Sequence, residues 1–122
     1  MSRRIIVCKN QSLLKTQELL FTQTEIKQCH ILSLPSCCPI SGNPKEGSII
    51  KISYTSKDKA IEVYSLRQYI DSFIGGYDDV RGMEDMIKKI ALDCHSVLGI
   101  SILVKANLIL EPNQKMILRV SV

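Results

Sequence analysis

Ser48-Ile49-Ile50-Lys51-Ile52-Ser53-Tyr54-Thr55 decides the fold class, because Ile50, Ile52 and Tyr54 alternate with Lys51 and Ser53, the period of a half-buried strand. Ser56-Lys57-Asp58-Lys59 reads as a hairpin turn, and Ala60–Tyr64 as a short return strand. From Ser65 the period changes. Leu66, Tyr69, Ile70 and Phe73 recur at helical spacing until Gly75-Gly76 ends the helix. A chain that switches from strand to helix period in this way builds a sheet with helices packed against it.

Toward the C-terminus the helical signal strengthens. Gly75–Gly82 reads as a loop, and a longer helix begins near Met83, with Met86, Ile87, Ile90, Ala91, Cys94 and Leu98 on one apolar face. Glu84 and Asp85 occupy its first turn, where negative charge suits the helix dipole. Ser101–Leu110 and Lys115–Val122 are strand-like, separated by the turn Glu111-Pro112-Asn113-Gln114. Toward the N-terminus, Arg3–Cys8 and Lys27–Leu34 suit strands, while Ser12–Thr24 has weak apolar spacing and stays unassigned. The order is ββααββ: an α+β fold with an antiparallel sheet and two helices on one face, formed by residues 1–122 as a single domain.

Composition narrows the function classes. Sixteen Lys and Arg against twelve Asp and Glu give a formal charge of +4, and the cations are scattered apart from Arg3-Arg4 and Lys88-Lys89. A groove for phosphates needs Lys and Arg gathered on one face, usually with aromatics between them, and the chain has four Tyr, two Phe and no Trp. Direct nucleic-acid binding is therefore not expected. No apolar run approaches the ~20 residues needed to span a bilayer, and the start MSRRIIVCKNQ lacks a signal peptide's apolar core, so a cytoplasmic protein without membrane contact is expected. Cys8, Cys29, Cys37, Cys38 and Cys94 are an odd set, expected as free thiols. None forms a CxxC pair, and the Cys-His neighbours are poor claws for tetrahedral zinc, so no metal is expected.

Leu34–Pro44 holds three prolines and a glycine around two thiols, which forbids helix and disfavours a central strand. A thiol reacts as thiolate, and an exposed loop near helix N-termini or basic groups is where its pKa falls. Cys37 and Cys38 lie in such a loop, whereas Cys8, Cys29 and Cys94 sit within patterned elements and read as buried apolar residues.

Cys38-Pro39-Ile40-Ser41-Gly42-Asn43-Pro44 resembles the signature Cys-Pro-x-Thr/Ser-Gly-Gln-Pro-Asp around the nucleophile of the 7-cyano-7-deazaguanine (preQ0) reductase family of the tunnelling fold. Glu62–Tyr69 resembles that family's Glu-Ser-Lys-Ser-Leu-Lys-x-Tyr segment, and Tyr69–Phe73 its Tyr-Leu-x-Ser-Phe. Gly82-Met83-Glu84-Asp85 matches its Phe-His-Glu-Asp once three residues are inserted in the preceding loop. The likeness runs from about Leu34 to Leu110. Lys45 stands where the family has Asp, Tyr64 where it has Lys, and Met83 where it has His.

The resemblance implies a nucleophile at Cys38, whose sulfur adds to the nitrile of preQ0 as a thioimide, with Lys45 in the place of the family's acid. It implies substrate contacts at Glu84 and Met83, with the Glu84 carboxylate accepting N–H bonds from the guanine-like edge. It also implies NADPH as hydride donor, held near Glu62, Ser65 and Arg67, and a role in queuosine biosynthesis for tRNA. Tunnelling-fold proteins close their sheets into an oligomeric barrel, so a homo-oligomer is implied. Two alternatives keep the fold: an amidinotransferase-like relative without NADPH, and a non-catalytic purine- or pterin-binding protein. A GTP cyclohydrolase is disfavoured, because its metal-binding Cys and His groups have no counterparts.

Overall fold

The computed structural model describes residues 11–38, 40–75 and 82–122. The strand expected at Arg3–Cys8 lies outside them, as does most of the loop after Gly75. Four long strands form one antiparallel sheet: β2 (Ile26–Ser33), β3 (Ile49–Ser56), β5 (Leu103–Leu110) and β6 (Gln114–Ser121), in the order β2-β3-β5-β6. Two short strands, β1 (Thr16–Glu18) and β4 (Lys59–Ile61), pair separately and antiparallel. Helices α1 (Val63–Asp71) and α2 (Met83–Leu98) lie between β4 and β5 in sequence. The α+β class, the antiparallel sheet and the two helices are as expected from the periodicities.

Three sequence expectations need correction. Ala60–Tyr64 was expected to return along β3. Instead Lys59–Ile61 leaves the main sheet and pairs with Thr16–Glu18, in the segment whose apolar spacing gave no assignment. A short polar strand such as Thr-Gln-Glu, exposed throughout, carries no buried face and hence no period. Tyr64 belongs to α1, because the Glu62 carboxylate accepts the N–H groups of Tyr64 and Ser65 and starts the helix there. Finally Cys29 is exposed on β2, while Cys94 is buried as expected.

The sheet is two-faced. On the helix side, Ile50, Ile52, Tyr54, Val104, Ala106 and Leu108 are buried against Leu66, Tyr69, Ile70 and Phe73 of the α1 region and Met86, Ile87, Ile90 and Leu98 of α2. Burying each of the larger aliphatic side chains contributes roughly 1.5–3 kcal/mol. Gly99 ends α2 at φ 70°, a left-handed cap that turns the chain back toward β5. Among the described residues no helix is long and apolar enough to cross a membrane.

Inside this apolar layer is one charged cluster. The Tyr69 hydroxyl donates to Asp93 Oδ2 at 2.7 Å, and the Lys89 ammonium reaches the same oxygen at 2.9 Å, both within the buried interior. The cluster ties α1 to α2. Replacement of Asp93 by Ala withdraws the carboxylate that a hydroxyl and a buried ammonium both address, and about 3–5 kcal/mol of stability is expected to go with it. Urea unfolding of Asp93→Ala against the parent measures this, and a change below ~1 kcal/mol would remove the cluster from the account of the fold.

A second polar contact crosses from β2 to β3. His30 Nε2 lies 2.7 Å from the Tyr54 hydroxyl oxygen, which also accepts the Ile61 N–H at 3.0 Å. The hydroxyl proton is therefore directed at His30, which suits a neutral imidazole accepting at Nε2. Burial lowers the His30 pKa below its ordinary 6.5. A base whose folded pKa is depressed contributes its full stability above the unfolded value and loses it as pH falls below that value. Stability should decline from pH 7 to pH 5, with a shallower decline in His30→Gln, as followed by thermal melts across that range.

Candidate functional site

The cysteine loop joins β2 to β3, two adjacent strands that a tight hairpin would otherwise connect. Its base is closed by the Leu34 N–H donating to the Ser48 carbonyl at 2.9 Å. Beyond that, the backbone folds on itself: the N–H groups of Cys37 and Cys38 both donate to the Asn43 carbonyl, at 3.1 and 3.0 Å, and Gly42 N–H returns to the Cys38 carbonyl at 2.8 Å. Gly42 adopts φ +72°, and a Cβ there would stand 3.0 Å from Lys45 Nζ. Glycine is favoured at Gly42 by this left-handed backbone conformation, while the lysine end could move aside for a Cβ.

Two anchors hold the loop to the rest of the domain. The Asn43 side-chain amide pairs with the Glu111 backbone in both directions, Nδ2 donating to the carbonyl at 3.2 Å and Oδ1 accepting the N–H at 2.9 Å. An amide used this way imitates one rung of a strand ladder and fixes the loop to the β5–β6 turn. On the other side the Gly75 N–H, just past α1, donates to the Cys37 carbonyl at 3.0 Å. Below, Lys45 N–H bonds the Ile109 carbonyl at 2.7 Å, and the buried Ser48 hydroxyl donates to the Lys45 carbonyl.

The two neighbouring thiols are set to opposite states. Cys38 is half-buried, and its sulfur accepts from the Ser41 hydroxyl and from the backbone N–H of Ser41, at 3.5 Å, with the N–H groups of Ile40 and Gly42 adding to the effect. These donors favour the thiolate and bring the Cys38 pKa down to about 7. The Ser41 hydroxyl oxygen accepts the Asn43 N–H at 3.2 Å, which leaves its proton to the sulfur. Cys37 is buried, donates to the Pro35 carbonyl at 3.2 Å, and is pushed up to about 11 by burial and by the negative charge of Asp71. Burial holds Cys94 higher still, at about 12. At neutral pH Cys38 is the reactive member of these three.

The structure brings Lys45 onto the same turn as Cys38. Its ammonium donates at 2.9 Å to the carbonyl of Ser41, the same residue whose N–H and hydroxyl hold the sulfur. Glu84 is exposed on the first turn of α2 and makes no hydrogen bond or ion pair to the cysteine loop among the described residues; Met83 packs against the core. The three residues expected near NADPH are engaged locally. Both Glu62 carboxylate oxygens cap α1, the buried Ser65 hydroxyl accepts the Lys15 N–H and donates to the Glu62 carbonyl, and Arg67 pairs with Asp71 at 2.7 Å. A broad groove at the far end of the sheet, lined in part by Gln28, Tyr54, His95 and Ile100, includes neither Cys38 nor Glu84.

The sequence singled out Cys38 but not the groups that hold its loop. Ser41 has a local signal, since a residue three positions after a loop cysteine is where a tight turn returns a donor to the sulfur. The tie between Asn43 and Glu111 spans 68 positions and has none. No protein-family model and no curated protein matches this chain.

The supports can be tested without a substrate. In a background with Cys8 and Cys29 changed to Ser, iodoacetamide labelling of Cys38 should rise with a midpoint near pH 7, as the sulfur becomes thiolate above its pKa. Ser41→Ala should move that midpoint up toward the ordinary value of 9.0. Asn43→Ala should shift it in the same direction by loosening the turn, with Asn43→Asp restoring only the accepting half of the clamp. An unchanged midpoint in Ser41→Ala would show that the hydroxyl does not set the thiolate.

Proposed function

We propose that this chain is a thioimide-forming enzyme of the 7-cyano-7-deazaguanine reductase type, a cytoplasmic tunnelling-fold protein acting on a deazapurine or related pterin nitrile. The observation that carries this reading is the Cys38 sulfur, whose pKa of about 7 is set by Ser41 and neighbouring N–H groups in a proline-bounded loop. The Cys-Pro-Ile-Ser-Gly-Asn-Pro sequence of that loop supports it, as does its position between two strands of an antiparallel sheet carrying two helices.

The chemistry follows from a thiolate beside a nitrile. The sulfur lone pair attacks the electrophilic carbon, a C–S bond forms, one carbon–nitrogen π bond breaks, and the nitrogen takes up a proton, giving a neutral thioimide with nothing released. Lys45 is the ammonium nearest along the turn to supply that proton, in place of the carboxylic acid that the resemblance implies. Glu84, exposed at a helix start, presents an acceptor to the amino and ring N–H edge of a guanine-like ring. Cys38 lies on an outer loop, so a second wall over the heterocycle would come from another copy. Among the described residues β2 and β6 are the outer strands of the sheet, and copies would join there to extend or close it.

The segment assigned to NADPH fits that cofactor poorly. Glu62 and Ser65 spend their polar atoms on capping, and the Arg67 charge is met by Asp71, so little is left to grip the phosphates. This favours a second reading, in which the same thioimide forms but hydride transfer does not follow, as in an amidinotransferase-like or purely nitrile-binding protein.

Intact-protein mass spectrometry after incubation with preQ0 separates these outcomes. A gain equal to the whole nitrile, lost in Cys38→Ala and slowed at least tenfold in Ser41→Ala, is expected. Addition of NADPH that consumes cofactor and returns the free protein mass supports reduction. A persistent adduct with no NADPH consumed supports the second reading. Absence of any adduct, or an adduct surviving Cys38→Ala, removes both.

A further inference from the structure

The cations that are scattered in sequence are gathered by the sheet. On the face turned away from the helices, the register places Lys51 of β3 opposite Lys105 of β5, and Lys105 opposite Arg119 of β6. Three positive side chains therefore stand in one row across three adjacent strands, which are separated by about 4.8 Å each. Lys27 and Lys115 lie on the same face at its two ends. The alternation of β2, β3, β5 and β6 puts no Asp or Glu on this face at all.

Like charges directly opposite in a sheet are destabilising, so this row carries a cost that no acidic side chain among the described residues offsets. None of the three is in a salt bridge with a described residue. Lysines on edge strands guard against unwanted strand pairing, but that explanation fails for Lys51 and Lys105, which belong to the two central strands. Lys105 and Arg119 are exposed, and Lys51 is half-exposed.

We infer that this helix-free sheet face docks the phosphodiester chain of a nucleic acid. A row of cations with no acid beside it suits a partner of one charge sign throughout. A phosphodiester strand has that property, whereas a protein surface interleaves both signs and would leave its own cations facing Lys and Arg. An anionic membrane also has a single sign, but interfacial binding commits a continuous apolar face to the acyl boundary, and here Ser53, Asn107 and Ser121 interrupt the apolar side chains. The lack of aromatics on this face removes base stacking, so binding is through phosphate, indifferent to sequence and steeply dependent on salt. Apolar Ile31 and Ile117, 63% and 77% exposed, and polar Ser53, Asn107 and Ser121 flank the row and give sugar and base edges a mixed surface to lie against. The inference holds whether or not the Cys38 thiol forms an adduct, but it requires this face to be open: copies joined at β2 and β6 to extend the sheet leave it open, whereas closure with the helices outside would enclose it.

The test uses fluorescence anisotropy with a labelled single-stranded RNA of mixed sequence at low salt, repeated with oligo-U and oligo-A. The parent protein should bind all three alike, with affinity falling as salt rises. The variant Lys51→Gln/Lys105→Gln/Arg119→Gln should lose at least tenfold in affinity, and its slope of log affinity against log salt should be lower in magnitude by about 2, near 0.7 for each lost phosphate contact. The same variant should melt at a temperature no lower than the parent, because opposed like charges have been removed. A control, Lys15→Gln/Lys57→Gln/Lys88→Gln, removes equal charge from other exposed positions and should bind much as the parent does. Equal losses in both triple variants would overturn the inference in favour of general charge attraction. No binding by the parent, or binding to phosphatidylserine vesicles without binding to RNA, would also overturn it.

Discussion

A four-stranded sheet with helices on one side must take one face out of water and leave the other in it. The whole architecture follows from that constraint. The inward alternation of Ile50, Ile52 and Tyr54 with Val104, Ala106 and Leu108 requires a lid, and α1 and α2 supply it. The outward alternation is then free to carry charge, and in this chain it carries only positive charge. Core and surface are two consequences of the same strand period.

The cysteine loop depends on the sheet in a different way. A connection between adjacent strands as long as Leu34–Ser48 has considerable conformational freedom to lose. Here the freedom is removed by a few directed bonds: the Asn43 carbonyl collects two N–H groups, its amide locks onto Glu111, and Gly75 holds the opposite flank. Once the turn is fixed, the Ser41 donors converge on one sulfur while the next thiol is turned inward. Two adjacent cysteines thus differ from about 7 to about 11 in pKa. The difference is one of burial against hydrogen bonding.

The buried Tyr69–Asp93–Lys89 cluster does for the helices what Asn43 does for the loop. Ionic groups in an apolar layer are weak sources of stability compared with well-packed hydrocarbon, yet they specify which faces meet. The Tyr69 hydroxyl finds its acceptor only when α1 is rotated correctly against α2. The short β1–β4 ladder and the Glu62 cap set the start of α1, so the helix is fixed at its beginning and along its length.

Much of this was legible in the sequence where the period was strong. The four long strands, both helices and the Pro-rich loop follow from local pattern, because each depends on residues a few positions apart; that pattern marks Cys37 and Cys38 together, and only the resemblance singles out Cys38. What local pattern could not reveal is whatever depends on distant pairing. The partner of Lys59–Ile61 is a polar strand with no buried face, the clamp on the cysteine loop comes from a turn 68 positions away, and Cys29 faces water through the parity of its strand. The same holds for charge: Lys51, Lys105 and Arg119 look dispersed along the chain, and only strand register, a tertiary property, sets them side by side.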